Sequence, residues 1–268
     1  MGAGREVAIG IGDQIIATGL AKGAWAKRGK KVAFGPHGRI IWDKHSELIF
    51  RDNPNICYPG NEAHQKVEWV DFYKGNRGYN RKGNGHWIWN MDWRCEPGEV
   101  RLSHGELAAG ERRGKGFIVI EPGVVRWKSS AQNKDWGFHR YQAVADKLID
   151  AGHQVVQFTH PEAGQILSGV KTMQTHNFRD ALAILRNAKL YVGSEGGMHH
   201  GAAAMGVAGV VVFGGFIPPS VTGYDMHTNI AGSDTFCGSF TACSHCKEAM
   251  ANISVETVFS AAMERLSG

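Results

Sequence analysis

The sequence predicts an α/β protein built of two doubly wound halves, the N-terminal one shortened. Three observations carry this reading. Short apolar runs of strand length alternate with amphipathic runs of helix length over most of the chain. The stretch 193–215, GSEGGMHHGAAAMGVAGVVVFGG, reads as a glycine turn, a small-residue helix, a buried strand and a second glycine turn. At 268 residues the chain is long enough to bury one large core or two smaller ones.

The elements follow in order. Residues 6–11 are apolar enough for a buried strand, GDQ makes the turn, and 15–26 carries apolar positions at helical spacing. Residues 31–34, KVAF, form the next strand. The segment 72–94 breaks the alternation: it holds five Lys/Arg, five Tyr/Trp and four Gly against one Asp, the composition of a long exposed loop or irregular hairpin. Gly114, Lys115 and Gly116 make a linker, dividing the chain into 1–115 and 116–268. The alternation then resumes: strand 117–120, helix 137–151, strand 154–158, helix 178–187 and strand 188–192 lead into the glycine turn. Residues 210–213 form the strand after it. An amphipathic helix over 254–266 closes the chain, with Ser254 as N-cap and Glu256 and Glu264 on its polar side. One sheet of Rossmann type per half is the simplest architecture that holds these elements.

Composition narrows the function. No apolar run is long enough to span a bilayer and no charged start precedes an apolar core, so the expectation is a cytoplasmic protein. The net charge of +5 is uneven: residues 1–116 hold 19 Lys+Arg against 13 Asp+Glu, whereas the remainder holds 11 against 12. The N-terminal half therefore suits an anionic partner, or carries a solvated basic face. Of five cysteines, Cys57 and Cys95 stand apart while Cys237, Cys243 and Cys246 cluster. With His245 or His227 the three can complete a four-ligand metal site, but free thiols packed near the last helix are the expectation.

The turn at 193–197 is the strongest chemical signal. Glycines 193, 196 and 197 let backbone N–H groups point outward at a helix start, where the dipole favours a phosphate or diphosphate. Such turns also join strand to helix in α/β proteins that hold no ligand there.

Four separated motifs together resemble the heptosyltransferase-like glycosyltransferases, family nine, which have the two-domain GT-B fold. Gly12–Asp13 followed by Thr18 is the first. Lys134–Asp135–Trp136–Gly137 resembles the family's K-x-W-P, with Gly in place of Pro. Glu195–Gly196–Gly197–Met198–His199–His200–Gly201–Ala202–Ala203 is similar to its D-T-G-x-x-H-x-A-A. The tail CSHCKEAMANISVETV is similar to its C-x-x-C…C-M-x-x-I-x-x-E-x-V. The resemblance is good from Phe117 onward and covers only the first 35 residues of the N-terminal half. Departures are Glu195 for the acidic Asp, Gly196 for Thr, and Phe216–Ile217–Pro218 where the family has T-D-P.

The resemblance implies an inverting enzyme that moves a sugar from a nucleotide-diphosphate sugar to an acceptor hydroxyl, across a cleft between two Rossmann-like domains. It implies Asp13 as the base that takes the acceptor's proton; by residue type alone Asp13 serves equally as N-cap of the following helix. Lys134 then puts a cation against the diphosphate or sugar, and the backbone of Gly196, Gly197 and Met198 cradles the diphosphate beside Glu195. His200 is at the family position for an added hydrogen bond, with His199 as the other choice, and either is otherwise a buried, satisfied histidine. Glu162 accepts from a ribose or is an ordinary first-turn residue. No D-x-D occurs, so no metal cofactor is expected for the transfer and the nucleotide sugar is a co-substrate. The expected acceptor is anionic. Arg77, Arg81, Lys82 and Arg94 interleaved with Tyr73, Tyr79, Trp87, Trp89 and Trp93 favour DNA carrying a hydroxymethylated pyrimidine. A phosphorylated lipopolysaccharide core is the alternative acceptor. A GT-B epimerase, or a non-catalytic nucleotide-sugar or nucleic-acid binding protein on the same fold, is the reading from another class.

Overall fold

The computed structural model describes residues 9–64, 66–73, 75–123, 129–160 and 164–268. Most of the expected strand at 6–11, and Glu162, lie outside these. Helix α1 spans Ile11–Arg28, so its start differs from the expected one: Ile9 and Gly10 are irregular, Ile11 is helical, and GDQ is the first helical turn. The first four N–H groups of a helix need no partner within it, so Gly12 and Asp13 enter at little cost. Asp13 is then favoured by the helix dipole. At the other end Gly29, at φ 60°, donates its N–H to the Trp25 carbonyl at 2.8 Å and stops the helix.

Strand β1 (Lys31–Phe34) follows as expected, then α2 (Lys44–Phe50), which Asp43 and Ser46 cap reciprocally. Strand β2 (Val67–Val70) pairs parallel to β1 in the register Lys31↔Val67. Among the described residues the N-terminal sheet is these two strands, with Ile56 bridging to Val32. The basic aromatic segment forms an antiparallel hairpin, β3 (Asn80–Lys82) and β4 (Trp87–Trp89). Helix α3 (His104–Glu111) starts at a second reciprocal cap between Ser103 and Glu106.

The C-terminal half is one sheet of six parallel strands. In chain order these elements are β5 (Ile118–Glu121), α4 (Phe138–Asp150), β6 (Val155–Thr159), β7 (Lys171–Gln174), α5 (Phe178–Leu185) and β8 (Leu190–Ser194). They continue with α6 (Gly197–Ala204), β9 (Gly209–Gly214), α7 (Pro219–Thr222), β10 (His227–Ala231), α8 (Ser244–Ala251) and α9 (Val255–Ser267). The strand order is β10-β9-β8-β5-β6-β7. Counting from β5, that is the 3-2-1-4-5-6 order of a doubly wound sheet, which reverses between β5 and β8. Glu121 and Gly193 are register partners at the carboxyl ends of those two strands, so the crevice that such sheets offer to ligands opens there.

Alternate residues of the inner strands feed two cores. Val119, Val156, Tyr191, Val211 and Phe213 face one, with α5, α6 and α1. Ile118, Ile120, Leu190, Val192, Val210 and Val212 face the other, with α4 and α9. Burial on both faces explains why these strands read as continuous apolar runs. The first core does not stop at residue 115: it joins Ile15, Ile16, Val32 and Phe34 to Leu182 and Val119. Among the described residues no helix is long and apolar enough to cross a membrane.

Candidate active site

Two helix starts meet beyond the sheet. A side chain on Gly12 of α1 would lie 2.9 Å from His200 Cδ2 and 3.3 Å from Gly197 Cα; one on Gly197 of α6 would lie 2.7 Å from Ile11 Cγ2. Only glycines allow this approach. It brings the positive ends of both helices to one place, directly after β8.

Glu195 directly follows β8, its N–H bonded to the Val212 carbonyl at 3.0 Å. Its carboxylate is buried, bonded to the Lys134 ammonium and 3.5 Å from His200 Nε2. Burial alone would raise this carboxyl, but Lys134 and His200 outweigh it and hold it well below the ordinary carboxylate range. His200 Nδ1 lies 2.8 Å from the Tyr224 hydroxyl, which also accepts from Cys95 Sγ at 3.4 Å. Burial pushes the Cys95 thiol up to about 12. The Lys134 ammonium also stands 5.1 Å from the Phe216 ring.

Asp13 anchors a second buried ion pair. The Tyr79 hydroxyl donates to its Oδ1 at 2.5 Å, and Arg77 Nε is 3.1 Å from its Oδ2. The Arg77 guanidinium lies 5.3 Å from the Trp87 ring. Arg77, expected to face an acceptor phosphate, is instead buried and turned onto the expected base. Asp13 is not the helix cap, since the N-cap of α1 is Gly10.

The remaining expected residues divide. Met198 and Gly196 sit half-buried at the start of α6. His199 is fully buried and neither ring nitrogen has a hydrogen-bond partner. Burial, then His200, depresses its basicity well below the ordinary range. His227 behaves similarly, at about 4, from burial first, then His200 and Arg265. In the hairpin Arg81 and Lys82 remain exposed, whereas Arg94 donates to the carbonyls of Met91 and Trp93 at 2.6 and 2.7 Å. Trp87 and Trp89 are half-buried, and Trp89 packs edge-on to Phe216 at 5.5 Å. A cavity of about 410 Å³ opens on the hairpin, lined by Asn76, Asn80, Arg81, Trp89 and Asn90 among others. Sequence reasoning missed Tyr224 and the roles of Arg77 and Tyr79 as partners of Asp13; nothing in their spacing announces those contacts.

Among the described residues, two groups of side chains bring metal-ligating atoms within 4.8 Å of one another: Glu195 with His199 and His200, and Cys237, Cys243, His245 and Cys246. In the first group Lys134 already supplies the cation. In the second His245, rather than His227, joins the thiols.

The family description "Glycosyltransferase family 9 (heptosyltransferase)" matches residues 93–253. A search of curated proteins finds no match. Among solved structures, the family 9 glycosyl transferase of Veillonella parvula DSM 2008 is similar over 97% of this chain and 95% of its own, at 14% identity and TM-score 0.68. The iron-containing dodecameric glycosyltransferase TibC of enterotoxigenic E. coli H10407 is similar over 97% and 74%, at 13% identity and TM-score 0.60. TibC in complex with ADP-D-β-D-heptose gives 13% identity and TM-score 0.58, over 96% of this chain and 73% of its own. The chain spans 59% of the length of E. coli ADP-heptose LPS heptosyltransferase II, which matches 72% of it at 18% identity and TM-score 0.47.

Proposed function

Because the chain belongs to glycosyltransferase family 9, we propose that it moves a sugar from a nucleotide-diphosphate sugar to a hydroxyl of an anionic acceptor, with inversion. The observation that carries this reading is the close approach of Ile11 and Gly12, in the helical turn that bears Asp13, to the α6 N-terminus just beyond the carboxyl end of β8. The diphosphate sits at the start of α6, where the free N–H groups and the Lys134 ammonium stabilise its charge. The acceptor hydroxyl gives its proton to Asp13 as its oxygen attacks the anomeric carbon. The bond from that carbon to the phosphate oxygen breaks, and the nucleotide diphosphate leaves with the electron pair. Tyr79 and Arg77 hold the Asp13 carboxylate in place for this step. The neighbour solved with ADP-D-β-D-heptose makes ADP-linked sugars the first donors to try.

For the acceptor, the hairpin cavity favours a glycan bearing phosphate. Trp89 offers an aromatic wall, Asn76 and Asn90 offer amides for hydroxyls, and Arg81 offers a cation. The DNA reading retains the exposed Arg81 and Lys82, but Arg77 and Arg94 are engaged within the protein. The test offers ADP-, GDP- and UDP-sugars with phosphorylated lipopolysaccharide core or hydroxymethylated duplex DNA, read by mass spectrometry. Gain of one sugar mass on the glycan is the expected result. Gain on the nucleoside replaces the glycan acceptor by DNA, and donor turnover without acceptor points to an epimerase. A bound donor with no transfer to any acceptor leaves a binding protein and overturns the enzyme.

A further inference from the structure

We propose that Cys237, Cys243, His245 and Cys246 bind one divalent ion of the zinc or ferrous class, and that this centre anchors the β3–β4 hairpin. The Cys237 sulfur is 3.5 Å from that of Cys243 and 3.1 Å from that of Cys246, and His245 Nδ1 is 4.0 Å from the Cys246 sulfur. A tetrahedral ion at about 2.3 Å from each sulfur spaces its thiolates by about 3.8 Å. Small outward shifts therefore open the cluster to coordination. Two thiols and the imidazole come from the first turn of α8, in C-x-H-C, and Cys237 reaches them from the preceding strap.

Two further features fit an ion rather than packed thiols. His245 Nε2 lies 3.0 Å from Thr235 Oγ1 and 3.2 Å from Ser233 Oγ, so hydroxyls hold the far nitrogen and leave Nδ1 facing the sulfurs. The Ser239 N–H points at the Cys237 sulfur at 3.4 Å and the Cys246 N–H at the Cys243 sulfur at 3.5 Å. Backbone N–H groups aimed at sulfur in this way are outer-shell partners of the kind that orient metal ligands. A disulfide would use two sulfurs and leave the third thiol and the oriented imidazole unexplained.

The strap leaving Cys237 is bonded to both sides of the active site. On one side Trp87 N–H donates to the Gly238 carbonyl at 2.8 Å and Phe240 N–H to the Gly85 carbonyl at 3.0 Å. The Phe240 ring meets Trp87 at 4.9 Å, and Trp87 carries Arg77, the partner of Asp13. On the other side buried Asn133, next to Lys134, donates to the carbonyls of Ser239 and Thr241 at 3.1 and 2.8 Å and accepts from Cys243 N–H at 3.0 Å. An ion fixing Cys237 to α8 therefore fixes the strap from which the hairpin hangs.

The test uses the whole reduced chain and needs no donor or acceptor. Metal analysis of the purified protein is expected to give one equivalent, its identity separating zinc from iron. Titration of chelated protein with Co²⁺ is expected to give the visible bands of a tetrahedral thiolate site, saturating at one equivalent. Cys243→Ser and His245→Ala are expected to weaken this binding at least tenfold, while His245→Cys retains it. If a variant does not fold, the wild-type Co²⁺ titration decides alone. No saturable binding, or thiolate bands that survive in Cys243→Ser, overturns the site. Hydrogen exchange at the Trp87 and Phe240 amides is expected to speed up on chelation. Unchanged exchange overturns the link to the hairpin.

Discussion

The Tyr79 hydroxyl donates to Asp13 Oδ1 at 2.5 Å, joining the basic hairpin to the first turn of α1 across 66 positions of sequence. The contact turns a loop that looks like an exposed acceptor surface into one wall around the carboxylate proposed as the base. Both groups are nearly dry, so the bond is strong and the carboxylate has one orientation. Asp13→Asn is expected to lower kcat/KM for transfer by about 10²–10⁴-fold with donor affinity unchanged. Tyr79→Phe, which keeps Asp13 but frees it, is expected to cost about tenfold. Transfer kinetics with donor binding by calorimetry checks both; an Asp13→Asn protein with wild-type turnover removes the assigned base.

Lys134 and Glu195 are a buried pair whose value shows when one partner is lost. Lys134→Met leaves the buried carboxylate with His200 but without its ammonium partner and is expected to destabilise the fold by about 3 kcal/mol. Adding Glu195→Gln to it is expected to recover much of that. The pair also sets an acid limit. The folded-state carboxyl lies below its ordinary 4.5, so its stabilisation is complete above that value and is lost as pH falls below it. Urea unfolding from pH 6 to pH 3 is expected to show the loss in the wild type and a shallower slope in the double variant.

His227 has the opposite charge and the same direction of pH dependence. Its folded-state value is about 4 against an ordinary 6.5, so between these the unfolded chain binds a proton that the folded chain refuses. Stability is expected to fall by about 3 kcal/mol as pH drops through that window. His227→Phe is expected to flatten the wild-type curve between pH 6.5 and 4. An unchanged slope in denaturant titrations of His227→Phe would sink this assignment.

Arg179 ties the halves together from inside. Its guanidinium, 2% exposed, donates to Glu106 at 2.6 and 2.9 Å and to the carbonyls of Leu48 and Arg101 at 2.8 and 2.5 Å. The Arg179 hydrogen bonds, against some desolvation, hold the Glu106 carboxyl down to about 2. Lysine cannot reproduce the fork, so Arg179→Lys is expected to destabilise nearly as much as Arg179→Met, about 3 kcal/mol or more. Thermal unfolding measures this; a lysine variant with wild-type Tm would mean that charge alone suffices.

How much could be read in advance followed burial. Strands β5, β6, β8 and β9 are covered on both faces, so their apolar runs announce them. Strands β7 and β10 lie at the sheet's edges. KTMQ buries only Met173, and HTNIA buries only His227, so neither carries an apolar signal. The start of α6 was legible from its glycines, and Ser254 from its place before the last helix, where it accepts from Thr257 N–H at 3.0 Å. The start of α1 was not, because a first helical turn makes few demands on residue type.

By itself the sequence determined the doubly wound C-terminal sheet, the glycine turn before α6 and the family, because local periodicity and fixed motif spacing are properties of adjacent residues. The tertiary structure alone decided which charges meet. Asp13 with Arg77, Glu195 with Lys134, and Cys237 with the α8 thiols are pairings between segments far apart in the chain, or between side chains whose directions only the fold sets. A buried charge takes whichever partner packing brings within reach, and packing is not written in any one segment.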